Sequence, residues 1–344
     1  MTLREAQETW LDRELAHQVL MLRFARGMAL RAGAKLEREV LSAVAAEVAQ
    51  RLVHISRGRQ ALALRNTQFL LRAVREIVRD GSAQAKAVVV REAQALAELE
   101  VRWLVKVGDA ALGVQFETPA PSLVRAAMER TELMGRKFGA WFEEWVPRRT
   151  EAAVVARVQA GLVAGESTPA IIEGLQGTEV GSYRNGVLAP TRQALETLVR
   201  TTATHTNAQA RDLTFRANAD VVAQVRWHSV LDLRTTIICA QLDGKVWAVT
   251  APHPVPPAHF NCRSQLLPFF GDYLGKRASM DGPVPAELTF AEWVQRQPAA
   301  RQNEIFGVTR ARAFRAGQLD LADMVDEAGL RVLTLDELRA LERL

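Results

Sequence analysis

The sequence predicts a mainly α-helical α+β protein: long N-terminal helices, a small β-containing module near residues 220–270, and a helical C-terminal tail. Three observations carry this. Residues 3–105 are dominated by Ala, Leu, Arg, Glu and Gln, the strong helix formers, and no proline precedes Pro119. Past residue 220 the composition changes to β-branched and aromatic runs at 221–227 and 246–249, with the turn sequence Leu242-Asp243-Gly244-Lys245 before the second. Beyond Pro268, Trp293, Phe306, Phe314, Leu319 and Leu321 return to helical spacings.

Within the first region, Asp80-Gly81-Ser82 reads as a helix break. The stretch 51–91 holds nine basic residues against two acidic ones, more than the whole chain's formal charge of +5. Arg65, Arg72, Arg79 and Lys86 recur every seven residues, about two helical turns, so they predict a cationic stripe on one helix face. Such a stripe suits DNA phosphates or an acidic partner surface; a solvated helix face is the simpler alternative. Little aromatic interleaving occurs in it, which argues against stacking on single-stranded bases.

The segment 117–122 breaks the pattern. Another helical pattern then runs through Met128, Met134, Phe138, Trp141 and Trp145, a stripe expected in the core, and Pro147 is expected to end it. Residues 151–174 predict a helical hairpin broken at Gly165-Glu166-Ser167-Thr168-Pro169, with Ser167 or Thr168 capping the second helix. Gly177, Gly181, Gly186 and Pro190 mark a loop, and Thr191 to about Asn218 a strong helix exposing a polar ridge of Arg200, Thr204, Asn207 and Arg211. Pro252, Pro254, Pro256 and Pro257 rule out a helix interior there. Thr334-Leu335-Asp336-Glu337 predicts a capped final helix.

A hydrophobic content of 48% and a charged content of 24% are those of a globular protein, which excludes global disorder and a collagen-like chain. No apolar run approaches a membrane span, and the N-terminal residues lack a signal-peptide core, so a soluble protein made in a cytoplasm is expected. Two cysteines are too few for a disulfide scaffold.

Candidate chemistry concentrates late in the chain, where four of the six histidines and both cysteines fall between 205 and 262. His259 and Cys262 are spaced to bind one ion together, and Cys239 could converge on them across a hairpin. His228 or His253 would complete a structural zinc site. Packed thiols or a disulfide are the alternatives. An acid/base or nuclease site of His228, Asp232 and His259 is weaker. Asp232 and Arg234 read more simply as an ion pair holding a turn, with Thr235 capping local backbone. Walker A, HExxH, GxSxG and dinucleotide patterns are absent from the sequence.

The same residues carry a family resemblance. Thr202, Thr204, Asn207 and Ala208 on one helix are followed by Trp227, Asp232-Leu233-Arg234-Thr235, Cys239 and Leu242-Asp243-Gly244-Lys245. The set ends on Pro257, His259, Asn261, Cys262 and Arg263. This combination, over about residues 150–270, resembles the phage Mu protein F-like family of minor head, or head morphogenesis, proteins. Phe290, Trp293, Gln297-Pro298 and Phe306-Gly307 resemble the C-terminal part of such proteins. The family often closes the motif as Cys-Arg-Cys, whereas this chain has Cys262-Arg263-Ser264. That removes one sulfur from any zinc set the resemblance implies.

The resemblance implies a virion component of the head interior or neck rather than an enzyme. Portal protein is the implied partner, with double-stranded DNA and capsid or scaffold proteins as further ones, and no membrane. Trp227, Asp232, Arg234, Thr235, Asp243, Gly244, Asn261 and Arg263 would be the structural motif. The expected organisation is a docking arm with the basic stripe over 1–118, the helical part of the module over 119–219, its hairpin and loop part over 220–270, and a tail over 271–344.

Overall fold

A computed structural model describes residues 2–52, 60–178, 185–187, 189–271, 275–326 and 328–344; the side chains at 38, 41, 51, 52, 60–67 and 191 fall outside the description. Gly181, and the side chain of Arg65 in the predicted stripe, therefore lie outside the described residues.

The chain is mainly helical, with small antiparallel sheets, as the sequence predicts. Two long helices come first, α1 (Leu3–Leu52) and α2 (Gln60–Leu112). After α3 (Pro121–Arg130), the short strands β1 (Glu132–Leu133) and β2 (Arg136–Lys137) make a hairpin. The helical turn α4 (Phe138–Ala140) continues through a π-turn at Trp141–Trp145 into α5 (Val146–Val163). Pro147 thus begins a helix instead of ending one, because the first turn needs no N–H from it. The predicted helical pattern across 128–145 is interrupted by this hairpin at 132–137, and the indole of Trp141 donates to the Leu133 carbonyl at 2.8 Å. Of the expected core stripe Trp141 is buried, while Met128, Met134, Phe138 and Trp145 are half-buried; Phe142, outside the stripe, is buried beside Trp141.

The helix α6 (Thr168–Gln176) is capped by the Ser167 hydroxyl, which accepts from the Ala170 N–H at 3.3 Å. Next come α7 (Ala189–Ala217), β3 (Gln224–His228), α8 (Ile237–Leu242), β4 (Val246–Ala248) and β5 (Gln265–Phe269). The three strands form one antiparallel sheet in the order β4-β3-β5, with Trp227 opposite Leu266. The strand β5, which contains Pro268, adds to the two strands the sequence marks at 221–227 and 246–249. It lies at the sheet edge, where a proline's missing N–H costs no ladder bond.

The remaining elements are β6 (Lys276–Arg277), β7 (Val284–Pro285), α9 (Phe290–Gln295), α10 (Ala299–Phe306), α11 (Val308–Arg315), β8 (Val325–Asp326), β9 (Arg331–Val332) and α12 (Leu335–Ala340). Thr334 and Glu337 form the predicted capping box of α12. Among the described residues, no helix is long and apolar enough to cross a membrane.

By contacts the chain forms two units, neither contiguous in sequence. Unit 1 comprises 1–22, 96–128 and 204–344; unit 2 comprises 23–95 and 129–203. In unit 1, Trp10, Phe116, Phe215 and Trp227 share a core with Leu242, Cys239 and Cys262. A second core there gathers Phe290, Trp293, Phe306, Met324 and Leu338 under the C-terminal helices.

In unit 2, α2 runs through Asp80-Gly81-Ser82 without the predicted break. Its glycine is a packing residue: a Cβ on Gly81 would stand 2.5 Å from Val40 Cγ2 of α1. Leu70, Val74, Val78, Ala85 and Val89 form the buried face of that helix.

A candidate metal centre

The site is built in unit 1 by β3, α8 and the proline-bearing loop that returns to β5. Trp227 is buried at the end of β3, and its indole donates to Ser229 Oγ at 3.0 Å. The chain then turns at residues 229–235. Arg263 grips Asp232 through two 2.7 Å bonds. The Arg234 N–H adds a 3.0 Å bond to the same carboxylate. The predicted Asp232–Arg234 ion pair is therefore replaced by Asp232–Arg263, with Arg234 contributing backbone while its side chain is exposed. Burial pushes the Asp232 carboxyl up, but Arg263, with the Arg234 N–H and the Thr235 hydroxyl, holds it below the usual carboxylate range. The Thr235 hydroxyl donates to the Val230 carbonyl at 2.5 Å, closing the turn.

Asp243 has the largest structural task. It follows α8, fully buried, and accepts from the N–H groups of Ser229 and Phe290 at 2.7 Å each. Arg277 donates to both its oxygens at 2.7 and 3.0 Å, and also to the carbonyls of Leu288 and Ser229. Gly244 next to it has φ +85°, and a Cβ there would stand 3.0 Å from Thr289. The sequence marks this pair only as a turn. Arg277, which completes the arrangement, carries no sequence signal of its own.

The expected exposed ridge on α7 is corrected in the same way. Arg211 is fully buried, its guanidinium held by Glu14 at 2.8 Å and Glu100 at 2.6 Å. Asn207 is buried beside Glu100 and donates to both its oxygens at 2.9 Å once its amide is oriented to match. His17 contacts Glu100 at 2.6 Å and stacks on Trp103. Thr204 reaches the other way, donating to the Cys262 carbonyl at 2.9 Å. These polar residues are the internal framework against which the motif segment is fastened. Their i, i+3 and i+4 spacing could not distinguish that from a solvated face.

Cys239, on α8, and His259 and Cys262, on the return loop, converge. The Cys239 sulfur lies 3.2 Å from His259 Nε2 and 3.6 Å from the Cys262 sulfur. The three candidate ligand atoms lie within 4.8 Å of one another. The hydrogen bond from Cys239 holds the Cys262 thiol well below its ordinary pKa, helped by His259, while the same bond and burial push Cys239 well above. Burial disfavours the charged His259 ring, but Cys262 and the Phe260 carbonyl together raise it above the usual value. A small cavity of about 10 Å³, the space of one water, opens on the group, lined also by Arg234, Asn261 and Ser264. Asn261 sits in left-handed backbone, φ +58°, a conformation its side chain tolerates.

Neither predicted fourth ligand belongs to this group. Both ring nitrogens of His253 are engaged, by the Ala251 carbonyl at 2.9 Å and Asp212 at 3.0 Å. His228 is fully buried, and burial together with Arg277, Arg226 and Arg211 holds its pKa well below the ordinary value. The expected acid/base grouping of His228, Asp232 and His259 is likewise not gathered: the cluster formed is Cys239, His259 and Cys262, and Asp232 is committed to Arg263.

Of the predicted cationic stripe, Lys86 is paired with Glu143 at 2.5 Å, while Arg72 and Arg79 are exposed with no ion pair among the described residues. Arg72 lies over the ring of Phe69, 6.0 Å from its centroid.

Residues 152–267 fit the family model of phage Mu protein F like proteins. No curated protein and no solved structure matches the chain. The matched span ends in β5 and includes Trp227, Asp232, the whole Cys/His cluster, Asp243 and Arg263. Over this segment, residues 152–267, about a third of the chain, the protein is similar to the phage Mu protein F like family.

Proposed function

We propose that the chain is a minor head protein of a tailed phage, associated with the portal and acting in head morphogenesis, DNA packaging or DNA delivery. The observation that carries this is the family match over 152–267, since that family suggests a role in phage head morphogenesis. The build of the matched segment supports a scaffold rather than a reaction centre. Its charged side chains Asp232, Asp243 and Arg263 are consumed in internal bonds that shape turns. The partners in this reading are portal protein and capsid or scaffold proteins, and the location is the virion.

A second, compatible reading is contact with double-stranded DNA through α2. Exposed Arg72 and Arg79 favour it, because Arg binds phosphate without regard to sequence. The loss of Lys86 to Glu143 reduces the stripe's capacity.

One experiment with two arms tests both. The purified full chain is mixed with portal rings and, separately, with duplex DNA across a salt series. Co-migration with the ring is expected, and its absence with both portal and procapsid overturns the first reading. In the DNA arm, salt-sensitive binding lost in the Arg72→Glu/Arg79→Glu double variant is expected. Binding unchanged by that variant overturns the role of α2.

A further inference from the structure

We propose that Cys239, His259 and Cys262 hold one zinc ion, whose fourth position is filled by water from the adjoining cavity, and that this ion pins the return loop to α8. The inference is independent of the portal reading.

The argument begins with distances. A tetrahedral zinc with ordinary Zn–S and Zn–N bonds needs its sulfurs about 3.8 Å apart and a sulfur and a nitrogen about 3.6 Å apart. The observed separations are 3.6 Å between the sulfurs and 3.2 Å from Cys239 to His259 Nε2. These two separations lie within about half an ångström of the tetrahedral values, and all three ligand atoms lie within 4.8 Å of one another. A disulfide would require the sulfurs to close to about 2.05 Å, a movement of about 1.5 Å.

The surroundings favour metal in three further ways. His259 Nδ1 lies 2.8 Å from the Phe260 carbonyl, which places the proton on Nδ1 and leaves Nε2 with a free lone pair facing Cys239. The sulfurs are furnished with donors suited to thiolates: the Ser264 N–H to Cys262, and the hydroxyls of Ser264 and Thr236 to Cys239. Charge also balances, since two thiolates and a neutral imidazole around Zn²⁺ leave no net charge in a buried place. The cavity supplies an entry path and room for the fourth ligand.

The pinned loop has its own need of such a tie. It carries Pro252, Pro254, Pro256 and Pro257, which donate no backbone N–H. A metal cross-link between α8 and residues 259–262 substitutes for the missing ladder bonds.

The test uses the full chain, purified under reducing conditions without chelator, with metal content measured and cobalt(II) then exchanged in. About one zinc per chain is expected, together with the thiolate-to-cobalt charge-transfer band and the visible bands of tetrahedral cobalt. His259→Ala should lower affinity for the ion more than about 100-fold, beyond what losing an outer partner costs, with far-ultraviolet circular dichroism retained. If that variant does not fold, the wild-type cobalt spectrum decides alone. A reduced wild-type chain with two free thiols and no cobalt spectrum overturns the proposal. So does a Cys239–Cys262 disulfide formed in the absence of added oxidant.

Discussion

Asp243 joins four parts of unit 1 through one carboxylate: the chain after β3, the end of α8, Arg277 of β6 and the first N–H of α9. Such a group cannot be removed cheaply, because Arg277 would remain buried and unpaired. Asp243→Ala should lower the unfolding free energy by about 3–5 kcal/mol, read by denaturant titration. A loss below about 1 kcal/mol would show that water reaches Arg277 and that the pair is not a fastening point. Burial of this kind is not legible in a sequence. Asp-Gly signals a turn by local backbone preference, and that reading holds, but the partners of Asp243 lie up to 47 residues away. The same is true of Arg211, whose partner Glu14 is 197 residues distant. By contrast Cys239, His259 and Cys262 were legible as a group, because only a few residue types hold soft metals and both cysteines fall beside a histidine.

At the scale of elements, local chemistry decided the caps and long-range packing decided the breaks. Ser167 and Thr334 cap as predicted since their bonds reach only three residues onward. Gly81 misleads because a glycine admits two explanations, a helix end or a close approach, and only the presence of α1 distinguishes them. The two explanations differ in sign. In a solvated helix Gly81→Ala would stabilise by about 1 kcal/mol through helix propensity. Against Val40 Cγ2 at 2.5 Å the added methyl overpacks the contact, and a net destabilisation of about 1–2 kcal/mol is expected. A lowered melting temperature agrees with the packed glycine, and a raised one contradicts it. β5 shows a related effect: Pro268 argues against a strand in general, but not against an edge strand, and edge or centre is a property of the assembled sheet.

For the whole molecule, α1, α2 and α7 each contribute residues to both packing units, so the order of segments along the chain differs from their grouping in space. Composition reports helix over 3–105 and strands within 220–270; among the described residues α1 and α2 fill the first, and β3, β4 and β5 with the short α8 make up the second. It carries no trace of residues 1–22 joining 204–344, because that association depends on Trp10, Glu14 and His17 meeting residues far along the sequence. The central proposal is that this internally fastened chain, with its segment similar to phage Mu protein F, is a component of a phage head. Quantitative mass spectrometry of purified procapsids and mature heads from the phage that encodes it tests this most directly. The account predicts the chain in both, at a few copies per particle. Its absence from procapsids and heads alike, with the protein remaining free in the lysate, would contradict it.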